Sequence, residues 1–428
     1  MSIEALIAQY LRAHGYVGTA AKFEEELGVK LKDPEGHEPL ESIIKDRLQF
    51  DTINDTEFDE IHHAKADLKA EIPNWHPRRP DFKKTLQLGV ASLIIYCTSW
   101  RWKNRTLGLF VTNTKQLIVY DLINDELLLT ESFTTIIKLV VPVNDTIIAF
   151  ADMSGSIQLK KLVQIHERDD DETSNCDWKF EDIQSEPIKL HRRLIIDMKY
   201  SDTYFASIGW DNRVVVGSII DSNITIIDEA TLQTNPTLIL LMKDISGALI
   251  LLVGRLDSSL LHMFTLKNNK LEEIARLSLN DSEFSTYSFH PMALSQIKSN
   301  LVTVATDHIP FMRLITINIP KLTEIKTDPN STIIPIIRAL IVSNYNSMSP
   351  QDKYSSPIIL TRPKGAGLWI AGDDGKLRGI DLKTGVIMEE LESNEGRAKS
   401  AFITTHSEDE IIVIAGAVDR SISIWKFS

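Results

Sequence analysis

The spacing of hydrophobic residues along the chain changes near residue 80. Over the first 27 residues, apolar side chains recur three and four positions apart, which is the spacing of one face of an α-helix. Beyond residue 80, short apolar and β-branched runs alternate with Gly, Asn, Asp and Ser, which is typical of strands joined by tight turns. The pattern therefore predicts a small helical region followed by a large all-β region.

The N-terminal region is predicted to be a hairpin of two short helices. The first apolar stripe consists of Ile3, Leu6, Ile7, Tyr10 and Leu11. The second consists of Ala20, Phe23 and Leu27, and Gly15 suits the left-handed conformation that ends many helices. Because helices this short gain their stability mainly from packing, a second copy of the hairpin could cover the apolar faces. The alternative is that the hairpin packs on the rest of its own chain.

The segment LIAQYLRAHGYVGTAAKFEEE, residues 6–26, resembles the LisH motif: an L-I-x-x-Y-L helix, a G-Y turn and a T-A-x-x-F-x-x-E helix. LisH motifs are homodimerisation units whose paired hairpins form a small four-helix bundle, and the resemblance implies the same here. The dimer core that it implies consists of Leu6, Ile7, Tyr10, Leu11, Tyr16, Ala20 and Phe23. Residues 1–35 are therefore interpreted as a LisH-like hairpin.

Residues 36–80 are predicted to be a helical or linker segment. Leu40, Ile43, Ile44 and Leu48 repeat at helical spacing, so this segment either lengthens the dimer bundle or forms a partly ordered connector. Prolines near residue 80 end it. A basic cluster at this point is predicted to be a solvated hinge; it consists of His76, Arg78, Arg79, Lys83 and Lys84.

Residues 81–428 contain repeated units of strand, polar turn and strand, of which residues 190–220 are the clearest. Four-stranded units of about 40 to 45 residues are the signature of WD-repeat propellers, and these units resemble that family in degenerate form. The residues that carry the resemblance are His191 at the histidine position, Asp197 and Asp211 as turn acids, and Asp121 and Trp425 where Trp-Asp usually stands. The resemblance implies that they have structural roles.

The expected fold is mainly β: a propeller of about seven blades preceded by the small α-helical module. The blades are predicted to begin near Asp81, Thr135, Leu190, Pro236, Glu283, Ser331 and Ala398. The last unit stops after its third strand, so a strand within residues 81–88 is expected to supply the fourth and close the ring.

Composition limits the partners and the compartment. With 46 Lys and Arg against 59 Asp and Glu, the formal net charge is −13, which disfavours direct binding to nucleic acid. The 2 cysteines favour a reducing compartment, and neither a signal peptide nor an apolar run long enough to span a bilayer is recognisable. We expect a protein of the cytoplasm or nucleus, or of both.

The sequence contains none of the usual catalytic signatures for phosphate binding, zinc-dependent hydrolysis, nucleophile elbows or dinucleotide binding. Residues 372–376, Gly-Asp-Asp-Gly-Lys, are predicted to form a hairpin turn, and the acidic run at residues 167–172 a solvated loop. His191, Asp197 and Ser207 are interpreted as a structural hydrogen-bond network. We therefore expect no enzymatic activity, no cofactor and no metal.

Two segments of the predicted propeller are candidate partner-binding sites. Trp100, Arg101, Trp102 and Arg105 combine the residue types that dominate interface hot spots, although a tryptophan here could instead pack between blades. Residues 343–357 are polar and without periodicity, which predicts a mobile loop within the sixth blade.

The expected function is that of a non-catalytic homodimeric scaffold within a multiprotein complex, because the combination resembles LisH and WD-repeat subunits of such assemblies. The partners implied are a second copy of the chain and other proteins. One alternative is a substrate receptor of a ubiquitin-ligase complex, which a pocket of Arg and aromatic residues at the central channel would favour. Others are a regulatory subunit of an enzyme and a histone-binding factor.

Overall fold

The computed structural model describes residues 3–32, 40, 66–87, 92–166, 176–244, 246–280, 289–325, 334–338 and 340–427. It divides into two compact units, Met1–Asp67 and Leu68–Ser428. The predicted propeller range, residues 81–428, lies within the second unit. The acidic run at residues 167–172 and the helical repeat predicted at Ile43, Ile44 and Leu48 lie outside the described residues.

The first unit contains the predicted hairpin of two helices, α1 (Ile3–Ala13) and α2 (Val17–Leu27). Gly15, with φ +76°, turns the chain between them. Arg12 holds the hairpin together, because its Nη2 donates to Glu24 Oε1 at 2.5 Å and to the Leu31 carbonyl at 2.8 Å. The Leu31 N–H donates in turn to Glu24 Oε1 at 2.7 Å, which ties the segment after α2 back onto the helices.

The second unit contains seven antiparallel sheets, here named blades 1 to 7. The strand β1 (Phe82–Leu86) precedes them. Blade 1 consists of β2 (Ile94–Trp102), β3 (Arg105–Thr112), β4 (Gln116–Asp121) and β5 (Glu126–Ser132). Blade 2 consists of β6 (Ile137–Pro142), β7 (Ile147–Asp152), β8 (Ser156–His166) and β9 (Cys176–Asp182), with the short β10 (Ile188–Lys189) also pairing with β8. Blade 3 consists of β11 (Ile195–Ser201), β12 (Tyr204–Gly209), β13 (Arg213–Ile220) and β14 (Asn223–Thr231).

The remaining blades repeat the layout. Blade 4 consists of β15 (Pro236–Lys243), β16 (Leu249–Arg255), β17 (Leu260–Lys267) and β18 (Lys270–Ser278). Blade 5 consists of β19 (Pro291–Gln296), β20 (Leu301–Thr306), β21 (Phe311–Asn318) and β23 (Ile341–Pro350), while the short β22 (Ile336–Ile337) pairs with β18. Blade 6 consists of β24 (Ile358–Thr361), β25 (Leu368–Ala371), β26 (Lys376–Ile380) and β27 (Ile387–Glu392). Blade 7 consists of β28 (Ala398–His406), β29 (Asp409–Gly416), β30 (Ile422–Lys426) and β1.

The blades form a closed ring, so the fold is a mainly β seven-bladed propeller. Each blade's first strand contacts the first strand of the next blade, and β28 contacts β2 to complete the cycle. The closing strand is β1, which pairs antiparallel with β30 from Phe82↔Lys426 to Leu86↔Ile422. The fourth strand of blade 7 therefore comes from the region where the sequence analysis expects it.

The hydrophobic core lies between neighbouring blades. The second strands are mostly buried, and β16 and β20 at every residue, because both of their faces are covered by adjacent blades. The fourth strands, such as β5, are partly exposed and more polar. This difference explains why the second strands are continuous apolar runs in the sequence.

The predicted border of blade 6 near Ser331 is wrong. Residues 341–350, which the sequence analysis assigned largely to a mobile loop, form β23, the fourth strand of blade 5, and blade 6 begins at Ile358. The polar residues of β23 fit a strand because their hydroxyls can bond to backbone: Ser347 is 0% exposed and its Oγ donates to the Met312 carbonyl at 2.7 Å. Because β23 is polar, its sequence resembles that of a loop.

Residues 72–81, here named the strap, pack on blades 6 and 7 and are not the predicted solvated hinge. Ile72 is buried among residues of blades 5 and 6. The ring of Trp75 lies edge-on to Trp369, with centroids 5.5 Å apart. A Cβ added at Gly379 would come within 2.3 Å of the Trp75 ring, so glycine is required there. Three members of the basic cluster form ion pairs: Arg78 with Asp409 at 2.8 Å, Arg79 with Glu389, and Lys84 with Asp125 at 3.3 Å.

Candidate protein-docking face

The antiparallel blades give the propeller two distinct faces. The turns between second and third strands, and the loops that lead into the first strands, lie on one face, here named the entry face. The turns between first and second strands lie on the opposite face. Residues from different blades are therefore brought together on one face by strand topology alone.

Five of the seven turns between second and third strands expose a large apolar side chain on the entry face. These residues, here named the apolar ring, are Met153 (42% exposed), Trp210 (54%), Leu256 (64%), Ile309 (56%) and Val418 (66%). Among the described residues, the turns between first and second strands expose no large apolar side chain, and the turns between third and fourth strands, which also lie on the opposite face, expose one, Val386 at 54%. Contiguous exposed apolar surface marks interaction sites, and strand topology brings these five side chains to the same face.

The polar side chains of these turns accept hydrogen bonds from groups of the same turn, while the apolar side chains remain exposed. In blade 2, Asp152 Oδ1 accepts hydrogen bonds from the N–H groups of Ser154 and Ser156, both at 2.9 Å. In blade 7, burial of Asp419 opposes ionisation, but the hydrogen bonds from Ser421 outweigh it and lower the pKa of the carboxyl. The turn backbones are therefore fixed before any partner arrives.

His191 anchors the loop that leads into blade 3. Its Nδ1–H donates to Asp211 Oδ1 at 2.9 Å, and the Ser207 hydroxyl donates to its Nε2 at 2.9 Å. Burial lowers the pKa of His191, and Asp211 offsets this only in part, so the imidazole is neutral near pH 7. His191 and Ser207 are both 0% exposed, so no substrate reaches this His, Asp and Ser set, and its role is to hold the loop.

The other residues predicted to stabilise the blades are spread over the ring. Asp197 lies on β11 outside the His191 network, contrary to expectation, and pairs with Lys199 at 3.1 Å. Asp121 is 0% exposed and caps the turn after β4, where it accepts from the N–H groups of Ile123 and Asn124 at 3.0 Å. Trp425 is buried in the core between blades 6 and 7.

The tryptophans predicted as a partner-binding site are not available to a partner. Trp100 is 2% exposed and Trp102 is 4% exposed. The Trp100 Nε1–H donates to the Asn144 carbonyl of blade 2 at 2.7 Å, and Trp102 lies edge-on to Trp178 of blade 2 at 5.1 Å between centroids. Both rings therefore pack between blades, which was the alternative interpretation.

The two arginines of the same segment point elsewhere. Arg101 is exposed and donates to the Thr405 carbonyl of blade 7 at 3.3 Å. Arg105 pairs with the buried carboxylate of Asp121 at 2.9 Å and lies over the ring of Trp178. The four residues thus join neighbouring blades and do not form one surface.

Comparison with known proteins assigns the family. A family model described as "UCP007778, beta-propeller domain" matches residues 53–426. The chain belongs to this beta-propeller family. The protein named "Uncharacterized protein YGR117C" of Saccharomyces cerevisiae (strain ATCC 204508 / S288c) is 24% identical over 479 residues, which cover 98% of this chain and 96% of the yeast protein. That likeness spans the helical hairpin as well as the UCP007778 propeller.

Two further features of this beta-propeller chain bear on its chemistry. Within the described ranges, no three His, Cys, Asp or Glu residues are grouped so that they could hold a metal ion. None of the helices in the described part has the length and apolar character needed to cross a lipid bilayer.

Proposed function

We propose that this protein is a non-catalytic homodimeric scaffold, in which a LisH-like hairpin dimerises the chain and a degenerate WD-repeat propeller docks other proteins on its entry face. The observation that carries the proposal is the apolar ring. Five blades direct an exposed apolar side chain from a turn to the entry face, whereas the described turns of the opposite face expose one, Val386. We expect such a scaffold to act in the cytoplasm or nucleus.

The apolar ring has the properties of a preorganised docking surface. Trp210, 54% exposed, is of the residue type most enriched at interface hot spots. The turns that carry the ring are fixed by hydrogen bonds such as those to Asp152. A partner that binds there loses little free energy to ordering the propeller, which favours affinity.

The exposed apolar surface of the hairpin supports the dimer. Of the implied dimer core, Tyr16 is 56% exposed in the single chain, and Ile7, Tyr10, Leu11 and Phe23 are only half-buried. Leu6 and Ala20 are already buried within one chain. A dimer would carry two docking faces, so that weak contacts with a multimeric partner gain in avidity.

The docking role is tested by quantitative affinity purification with the full chain. The variant W210S/L256S/I309S removes three members of the apolar ring. The matched control L127S/I226S/M388S makes the same chemical change at exposed residues of fourth strands, 54%, 43% and 44% exposed. We expect the first variant to lose most of the proteins that co-purify with the wild type and the control to retain them. Equal recovery with both variants would contradict the docking role.

A further inference from the structure

The first strands of the blades line the central channel, and they carry Lys399 in blade 7, Tyr96 in blade 1, Lys138 in blade 2, and Asp197 and Lys199 in blade 3. The charge of Lys399 lowers the pKa of the Lys138 ammonium, and Lys199 pairs with Asp197 at 3.1 Å. Blade 1 lies between blades 7 and 2, and blade 2 lies between blades 1 and 3. Lys138 and Lys399 therefore lie on either side of blade 1, on strands that line the channel.

Lys138 and Lys399 occupy equivalent positions in their blades. Each is the extra residue of a β-bulge near the start of a first strand: Lys138 follows the pair Ile137↔Asp152, and Lys399 follows the pair Ala398↔Gly416. First strands begin at the entry face. The two ammonium groups therefore belong to the mouth of the channel on the face that carries the apolar ring.

The channel mouth is cationic in a protein whose formal net charge is −13. Asp197 is engaged by Lys199 at 3.1 Å, and neither Lys138 nor Lys399 forms an ion pair with any described carboxylate. Burial lowers the pKa of Lys138, and the charge of Lys399 lowers it further, so an added anion would relieve an unfavourable arrangement.

The loop held by His191 extends this positive surface. Arg192 and Arg193 are exposed on it, and neither side chain pairs with a carboxylate of the described residues. Gly155 of blade 2 packs closely against this loop, since a Cβ added at Gly155 would come within 2.3 Å of the Arg193 carbonyl and 2.4 Å of the His191 carbonyl. This packing holds the loop in place. Blades 7, 2 and 3 thus present several cations on the entry face, and Arg192 and Arg193 lie next to the turns that carry Met153 and Trp210.

We propose that the channel mouth binds carboxylate side chains of an acidic segment of the partner protein, while the apolar ring binds apolar side chains of the same segment. This inference rests on the docking function proposed above. Alternating acidic and apolar groups match a polypeptide better than a sugar-phosphate chain, which the overall negative charge repels. Complementary charge of this kind selects partners and speeds their association.

The test uses the full-length chain and a fluorescein-labelled 12-residue peptide of alternating glutamate and leucine, with a glutamine and leucine peptide as its uncharged counterpart. Fluorescence anisotropy is expected to show binding of the glutamate peptide that is at least about tenfold tighter than that of the glutamine peptide and weakens with salt. The variant K138Q/K399Q should abolish this difference. The control variant K115Q/K353Q changes two exposed lysines of the entry face away from the channel and should retain it.

Equal binding of the two peptides would overturn the inference. So would unchanged binding of the glutamate peptide to K138Q/K399Q, provided that this variant melts like the wild type. Complete displacement of the glutamate peptide by equimolar pyrophosphate would also overturn it, because it would indicate a site for small phosphate anions. The docking function fails separately, through the affinity purification. If W210S/L256S/I309S loses its partners while K138Q/K399Q keeps them, docking stands and the acidic specificity falls.

Discussion

The guanidinium of Arg362 in blade 6 donates hydrogen bonds at 3.1 and 2.7 Å to the carboxylate of Glu410 in blade 7, and both side chains are at most 3% exposed. Arg362 also donates to the carbonyls of His76 and Arg78 at 2.6 Å, and its guanidinium lies 4.0 Å from the centroid of the Trp75 ring. One buried cation therefore joins two blades and the strap.

Replacing Arg362 by alanine should strongly destabilise the propeller. The substitution leaves the buried carboxylate of Glu410 without its counter-charge, and breaking such a pair costs about 3 to 5 kcal/mol. Urea unfolding measures the change in the free energy of unfolding. The control is Lys364→Ala, at a side chain that is 82% exposed, and it should change the free energy of unfolding by less than about 0.5 kcal/mol. A loss below about 1 kcal/mol for Arg362→Ala would contradict this role.

Closure of the ring depends on backbone pairing of β1 with β30. Of the backbone N–H groups of Lys84 and Thr85, which are neighbours on β1, one points towards β30. Proline has no N–H, so replacing both residues by proline removes that group whichever of the two carries it. We expect a clear drop in the melting temperature of the whole propeller. The double alanine variant loses only side-chain contacts, such as Lys84 with Asp125 at 3.3 Å, and should melt close to the wild type. Equal melting of the two variants would show that β1 does not close the ring.

The His191 network makes stability depend on pH below neutrality. Burial lowers the pKa of His191 below its ordinary value of 6.5, so near and below that pH the unfolded chain binds a proton that the folded chain does not. The contribution of the neutral imidazole is therefore complete above pH 6.5 and is lost as the pH falls below it. Urea unfolding at pH 7.5, 6.5 and 5.5 should show a shallower pH dependence for His191→Gln than for the wild type. Identical slopes would contradict this assignment.

The hairpin is predicted to set the oligomeric state. Light scattering should give a mass of two chains for the wild type and of one chain for Y16S/F23S, because both residues belong to the implied dimer core. Val29→Ser, at an apolar residue that is 59% exposed and outside that core, is the matched control and should remain dimeric. A monomeric wild type would remove dimerisation from the account.

The sequence predicts the propeller well where strands are apolar and turns are polar. Blade 3 could be located from its strands and from His191, and the pairing of β1 with β30 from the missing fourth strand of blade 7. The sequence analysis misplaces the border between blades 5 and 6 because β23 is a polar strand, in which buried hydroxyls such as that of Ser347 donate hydrogen bonds to backbone carbonyls. Local composition does not reveal such bonds.

The docking face could not be predicted from local pattern. Trp100 and Trp102 have the composition of a hot spot, but the packing of blade 2 against blade 1 buries them. Trp210 and Leu256 stand alone in polar turns, and only the ring brings them to one face. Lys138 and Lys399 are likewise far apart in the sequence, and only the closed ring brings both to the channel mouth.

Photo-crosslinking in cells tests the docking face most directly. Benzoylphenylalanine placed at Trp210, Leu256 or Ile309 should crosslink the chain to the same partner proteins. Placed at Asn104 or Thr203, exposed residues of turns on the opposite face, it should not. Crosslinks that arise equally from both faces, or only from Asn104 and Thr203, would contradict the proposal that the apolar ring is where partners bind.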